Sequence, residues 1–205
     1  YHQLGRIEQE QGNYVDAEKW YFKSLNIKTK YDCMNNISST YNQLGKIFQE
    51  KSDLSKSEDL YKRSLSVTEE INDYYGSAST YHNMGIITQK RLDYVVAKEW
   101  YMKSLTIKRK SFNPYGEAIT YHQLGEIDRL QGYNLDAAKW YLQAMKIHQC
   151  DNDNYMITKV AKDYVLAIQA ADPATQTILR QRWQDAGLDQ TITLDQLEQQ
   201  LNDNA

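Results

Sequence analysis

Tyr41-Asn42-Gln43-Leu44-Gly45 decides the fold, because the chain writes this stretch four times. Tyr1-His2-Gln3-Leu4-Gly5 precedes it, and Tyr81-His82-Asn83-Met84-Gly85 and Tyr121-His122-Gln123-Leu124-Gly125 follow, each 40 residues from the last. Other columns keep the same register outward from this core. Ile7, Ile47, Ile87 and Ile127 form one; Ala17, Ser57, Ala97 and Ala137 form a small-residue column. Tyr21, Tyr61, Tyr101 and Tyr141 form another, each preceded by Trp20, Leu60, Trp100 or Trp140, and Ile27, Val67, Ile107 and Ile147 lie beyond. A fixed period means one supersecondary unit copied, with neighbours stacking to bury faces that no single copy can bury alone.

Each unit reads as two helices. Tyr41, Leu44, Ile47 and Phe48 recur at spacings of three and four, which places them on one buried stripe. Gly12, Gly132 and the equivalent Ser52-Asp53 break the chain about a dozen residues into their repeats. A second stripe then runs through Ala97, Trp100, Tyr101 and Leu105, and Asn113-Pro114 suits the start of a following helix. The expected fold is all-α, a right-handed α-α superhelix of helices roughly 16 residues and about 24 Å long. Four repeats occupy residues 1–40, 41–80, 81–120 and 121–160.

Residues 161–205 behave differently. The register continues only as Tyr164, Val165 and Ile168; Asp172-Pro173 restarts a helix towards Gly187, and Thr193-x-x-Gln196 reads as a capping box. Charge marks the same boundary: 21 basic and 20 acidic residues before it, 3 and 7 after it. This tail is expected to supply capping helices, since repeat arrays need a more polar terminal unit. Tyr1 falls where the other copies are in mid-helix. The expectation is therefore that repeats or a domain precede it, and that an uncapped first repeat offers a face for self-association.

Composition sets further bounds. Nine glycines and two prolines argue against a β-sandwich or a collagen-like chain. Eight of the 17 tyrosines fall in two repeat columns, so the aromatic excess is a packing feature. No apolar run approaches the roughly 18 residues of a membrane helix, so no membrane association is expected. A net charge of −3 excludes a strongly basic nucleic-acid binder. The third repeat is a local exception, with Lys90, Arg91, Lys98, Lys103, Lys108, Arg109 and Lys110 against three acids. Most of these lie on its second helix and read as a solvated face, so no nucleic-acid partner is assigned.

No phosphate loop, His-Glu-x-x-His or Gly-x-Ser-x-Gly motif is present, so neither catalytic residues nor a cofactor are expected. His82 and His122 sit in adjacent copies, within reach of one ion if packed helices lie about 8–10 Å apart. His2 is two copies away, and the column reads as polar side chains instead of a metal site. Cys33 and Cys150 end the second helices of the first and last repeats, too far apart for the roughly 7 Å Cα separation of a disulfide. Free thiols point to a reducing cytoplasm.

The residues as a whole resemble the tetratricopeptide repeat. The first copy carries its pattern as Leu4-Gly5, Gly12-Asn13-Tyr14, Ala17 and Tyr21. The long period is similar to the variant in kinesin light chains, LGN-type polarity scaffolds and bacterial arrays. Ser52 and Leu92 replace the turn glycine and Ser57 the small alanine, and no proline closes each unit. The resemblance implies a non-catalytic scaffold whose first helices line a concave groove for an extended peptide or partner segment. The alternative is a sensor or oligomerisation module of a larger, bacterial, multidomain signalling or defence protein.

Mapped onto that groove, four ladders emerge: His2, Asn42, His82 and His122; Gln3, Gln43, Asn83 and Gln123; Arg6, Lys46, Ile86 and Glu126; and Gln9, Gln49, Gln89 and Arg129. At 100° per residue, Asn42, Lys46 and Gln49 share an arc away from the core columns, with Gln43 at its far side. An amide carries donors and an acceptor. The second ladder can therefore pair with a peptide backbone, and it can equally be a copied solvated residue or bond helix to helix. Four hydrogen bonds contribute about 2–6 kcal/mol net, below the about 8 kcal/mol of micromolar binding. Side-chain anchors must add the rest. The change from Arg6 and Lys46 to Ile86 to Glu126 predicts an oriented ligand, acidic at the end near the first two repeats.

Overall fold

A computed structural model describes residues 1–31, 34–188 and 193–203. Among the described residues there are eleven helices and no strand. They fall into two compact units, Tyr1–Ile107 and Lys108–Ala205. The first holds α1 (His2–Glu10), α2 (Tyr14–Lys30), α3 (Met34–Glu50), α4 (Leu54–Glu70), α5 (Ser77–Lys90) and most of α6 (Tyr94–Lys110). The second holds α7 (Pro114–Leu130), α8 (Asn134–Cys150), α9 (Asn154–Gln169), α10 (Pro173–Asp185) and α11 (Leu194–Asn202).

One turn design joins the two helices of each repeat. At the end of α1 the Gly12 amide donates to the Gln9 carbonyl at 3.0 Å and the Asn13 amide to the Glu8 carbonyl at 2.8 Å. This pair of bonds satisfies carbonyls that the helix end leaves over, and it needs a left-handed residue at the first position. Gly12 and Gly132 supply φ of 79° and 81°, whereas Ser52 and Leu92 adopt 62° and 64° without glycine's freedom. The residue after it then caps the next helix: Asp53 accepts from the Lys56 amide at 3.0 Å and Asp93 from the Val96 amide at 3.2 Å. One short turn thus ends one helix and starts another. At the repeat ends, where no proline closes the second helix, Asn72, Phe112 and Asn152 take the same left-handed conformation, with φ of 54°, 52° and 54°.

The Leu-Gly pairs of the repeat have a steric cause. Each glycine lies under the ring of the tyrosine 16 residues on: Gly5 under Tyr21, Gly45 under Tyr61, Gly85 under Tyr101 and Gly125 under Tyr141. A Cβ at Gly85 would stand 2.6 Å from Tyr101 Cε1, well inside van der Waals contact. A glycine in mid-helix costs about 1 kcal/mol against alanine, and ring-on-backbone packing offsets that cost. All four tyrosines are fully buried. In the first unit Ala17 and Tyr21 of α2 cluster with Leu44, Ile47 and Phe48 of α3, and Tyr61 of α4 with Met84 and Ile87 of α5. The second helix of one copy therefore covers the first helix of the next. Ser57, in the alanine column, is buried and donates to the Gly45 carbonyl at 2.7 Å. A hydroxyl thereby fits a site that otherwise takes a methyl group.

In the second unit α9 continues the packing with Val160, Ala161, Tyr164 and Ile168 buried. Asp172 caps α10, Pro173 opens it, and Trp183 packs on Tyr164 with ring centroids 5.3 Å apart. Thr193 and Gln196 form the expected capping box at α11. Cys33 lies outside the described residues; Cys150 is an exposed free thiol.

Replacing Gly85 by alanine should lower stability by about 1–2 kcal/mol in urea denaturation, after alanine's helical gain is counted. A stabilised Gly85→Ala protein would show that the ring-on-glycine contact does not set the helix spacing.

Candidate functional site

The first-helix face of the unit Tyr1–Ile107 sorts the expected contact residues into two groups. One group is committed to the scaffold. Asn42 and Asn83 are both buried; Asn83 Nδ2 donates to Asn42 Oδ1 at 3.1 Å, and Asn42 Nδ2 donates to Thr80 Oγ1 at 2.6 Å. These amides bond helix to helix. Gln49 and Gln89, like Gln9, accept from the hydroxyls of the buried tyrosines: Tyr21 to Gln9 at 2.8 Å, Tyr61 to Gln49 at 3.4 Å and Tyr101 to Gln89 at 2.8 Å. That column satisfies phenol groups the core would otherwise strand. His2 Nδ1 lies 3.3 Å from Thr40 Oγ1 and meets the Tyr21 ring edge-on. His82 tilts against Tyr101 in the same way, with centroids 5.2 Å apart.

The other group faces an opening. Gln43 and Lys46 of α3, with Ser39, Asn42, Ser79 and Thr80, line a cavity of about 270 Å³ between α3 and α5. No described residue pairs with the Lys46 ammonium, and burial alone pulls its pKa below the ordinary lysine range. Gln43 also borders a second cavity, of about 320 Å³, with Arg6, Gln9 and Glu10. Arg6 and Glu10 approach at 3.5 Å, both well exposed. Such an exposed pair contributes little, so the guanidinium is open to competition. Gln3 is exposed and has no hydrogen-bond partner among the described residues. Two cations, Arg6 of α1 and Lys46 of α3, therefore border two concavities that share Gln43.

In the unit Lys108–Ala205 the same columns are held differently. His122 is buried, with Nε2 2.6 Å from Asp163 Oδ2 on α9, and its ring tilts against Tyr141. Gln123 is half-buried. Among the described residues no group of three or more His, Cys, Asp or Glu is placed to hold a metal ion.

One expectation needs correcting. Lys108, read from sequence as part of a solvated basic face, is buried and donates to Thr120 Oγ1 at 2.8 Å. Burial pulls its pKa down to about 8. Lys28, one repeat pair earlier, makes the same bond to Thr40 at 2.8 Å. The column reads Lys28, Thr68, Lys108, His148, and its partner column Thr40, Thr80, Thr120, Val160. Lys28 and Lys108 bond the threonine 12 residues on, whereas His148 has valine at the matching position, and both of its ring nitrogens are buried without a hydrogen bond. Burial accordingly lowers its pKa. The signal was available in sequence as a polar column directly after the apolar column Ile27, Val67, Ile107 and Ile147, with threonine 12 residues on.

The fold defines a helical-repeat scaffold. The tetratricopeptide repeat pattern matches residues 1–72 and 76–149, and the chain belongs to that family. Among solved structures, BtubC (BKLC) from P. vanneervenii superposes with a TM-score of 0.75 at 16% identity, covering 93% of this chain and 79% of that one. A kinesin-light-chain-like protein from Podosopora anserina with nearly identical TPR-like repeats gives 0.69 at 13% identity, covering 94% and 95%. At these identities the likeness concerns the fold. No curated protein matches the sequence. Tetratricopeptide repeats as a class are protein-interaction scaffolds, and no described helix is long and apolar enough to cross a membrane.

The Lys108 pKa carries a sign that can be measured. Its folded value of about 8 lies below the about 10.4 of an unfolded lysine. The unfolded chain therefore takes its proton first, and stability falls as pH drops from about 10.4 to 8. Lys108→Met should gain about 1–3 kcal/mol at pH 7 and nothing above about pH 10.5. Urea denaturation at both pH values checks this; a gain equal at both would rule out a burial penalty on the charged form.

Proposed function

We propose that the first-helix face of α1, α3 and α5 binds an extended, acidic segment of a partner protein. The observation that carries this reading is Lys46, a half-buried ammonium with no partner among the described residues, opening beside Gln43 into a cavity of about 270 Å³. A carboxylate there would restore what burial has taken from the ammonium, and charge-assisted bonds are the strong ones. Gln3 and Gln43 supply backbone-pairing amides, and Arg6 a second cation. Asn42, Asn83, Gln49 and Gln89 serve by holding the face rigid, which limits the entropy lost on binding. A cytoplasmic setting and the absence of catalysis fit this scaffold role.

Selection of random dodecapeptides on the wild-type protein should enrich acidic sequences. Lys46→Glu should weaken the enriched peptides at least about tenfold, as expected for reversing a charge at a partly desolvated contact. Peptides without acidic residues, or affinity unchanged by Lys46→Glu, would contradict the reading.

A second reading, self-association through α1, is favoured by Leu4 and Ile7. They are 43% and 49% exposed, whereas Leu44 and Ile47 in the same columns are fully buried. Light scattering should then show a mass that rises with concentration and returns to monomer in Leu4→Ser/Ile7→Ser. A constant monomer mass in the wild type would remove this reading.

A further inference from the structure

If the face of α1 and α3 takes an acidic segment, as proposed above, its two cations fix the spacing of that segment's acids. Arg6 and Lys46 hold the same repeat position, one 40-residue period apart. Their helices are neighbours on this face, where the His2 ring reaches Thr40 at 3.3 Å. Axes of packed helices lie about 8–10 Å apart, and equivalent positions share that separation. Gln43 stands between the two cations, because it lines both the cavity of Lys46 and that of Arg6. Its amide makes no hydrogen bond among the described residues. Asp73 also lines the Lys46 cavity, with Oδ1 accepting from the Gly76 amide at 2.9 Å. A wall that already carries a carboxylate repels a doubly charged phosphate more than a singly charged acid.

Backbone conformation sets which residues can bridge that span. Same-face residues of a β-strand stand two or four apart, about 6.7 or 13 Å, so one falls short and the other overshoots. A polyproline II helix returns to the same face at every third residue, after about 9 Å, which matches. An α-helix reaches about 10.5 Å over seven residues. Its backbone groups are bonded within the helix, however, and leave the Gln43 amide nothing to pair with. Polyproline II has no internal hydrogen bonds, so the peptide groups between the two acids remain open to an amide that both donates and accepts.

We propose that the partner segment binds as a polyproline II helix with two carboxylates three residues apart, one on Lys46 and one on Arg6, and with the backbone between them on Gln43. The exposed Arg6–Glu10 pair, at 3.5 Å, gives way to the ligand, since such a pair contributes little. A backbone already set in this conformation also loses less entropy on binding.

Fluorescence anisotropy of labelled peptides with the full chain at low salt tests the spacing. Glu-Pro-Pro-Glu, in Gly-Ser flanks, is compared with Glu-Pro-Glu, Glu-Pro-Pro-Pro-Glu, Gln-Pro-Pro-Gln and an alanine-rich helical peptide bearing glutamates seven apart. Glu-Pro-Pro-Glu should bind about two- to fivefold tighter than the other proline peptides with two glutamates, which keep only one of the two ion pairs. Gln-Pro-Pro-Gln should not bind. Lys46→Met and Arg6→Met should each couple to a different glutamate of Glu-Pro-Pro-Glu, so that changing that glutamate to glutamine costs nothing further in that variant. Circular dichroism should show both variants folded, because neither side chain belongs to the core. Equal affinity at all spacings, tightest binding by the helical peptide, or coupling of both variants to the same glutamate would overturn the spacing and leave the acidic reading standing. Failure of every acidic peptide to bind would overturn both.

Discussion

A tyrosine ring laid on a glycine is the contact on which the repeats depend. It brings the second helix against the backbone of the first at Gly5, Gly45, Gly85 and Gly125, and it buries a phenol at each place. A buried hydroxyl must find a partner. In the first unit that partner is the glutamine four residues after each glycine, at Gln9, Gln49 and Gln89. The tyrosine column thus dictates the glycine column by shape and the glutamine column by polarity. Only after both demands are met is the rest of the first helix free to vary.

That dependence explains what could be read from sequence. Periodicity exposed the helices, turns and caps, because each rests on local chemistry: Asp53 at a helix start, Pro173 behind Asp172, Thr193 with Gln196. The candidate face was legible as a set of columns, but the roles within it were not. Gln43 and Gln49 lie six residues apart on one helix and look alike in sequence. Gln49 accepts from Tyr61, whereas Gln43 borders two cavities without a described partner. The difference arises from where the neighbouring helix puts its hydroxyl. Asn42 and Asn83 make the same point, since their bond needs the spacing of α3 and α5. Lys108 was misread because a helical wheel knows one helix, and burial depends on the next one.

Departures from the repeat pattern acquire meaning against these shared demands. His148 is one of them: valine stands at position 160 where the earlier copies have threonine, and both ring nitrogens of His148 are buried without a hydrogen bond. Lys46 departs differently. Its column runs from basic to apolar to acidic while the columns beside it stay polar, so this column alone carries direction along the face. Scaffold residues repeat because packing repeats; contact residues change because a ligand does not.

Hydrogen–deuterium exchange of the full chain, with and without a peptide enriched on the wild-type protein, tests the central claim most directly. The account predicts added protection on α3 and α5 around Gln43, Lys46 and Ser79, with α2 and α4 unchanged. Protection concentrated on α2 and α4, or none on α3, would contradict it.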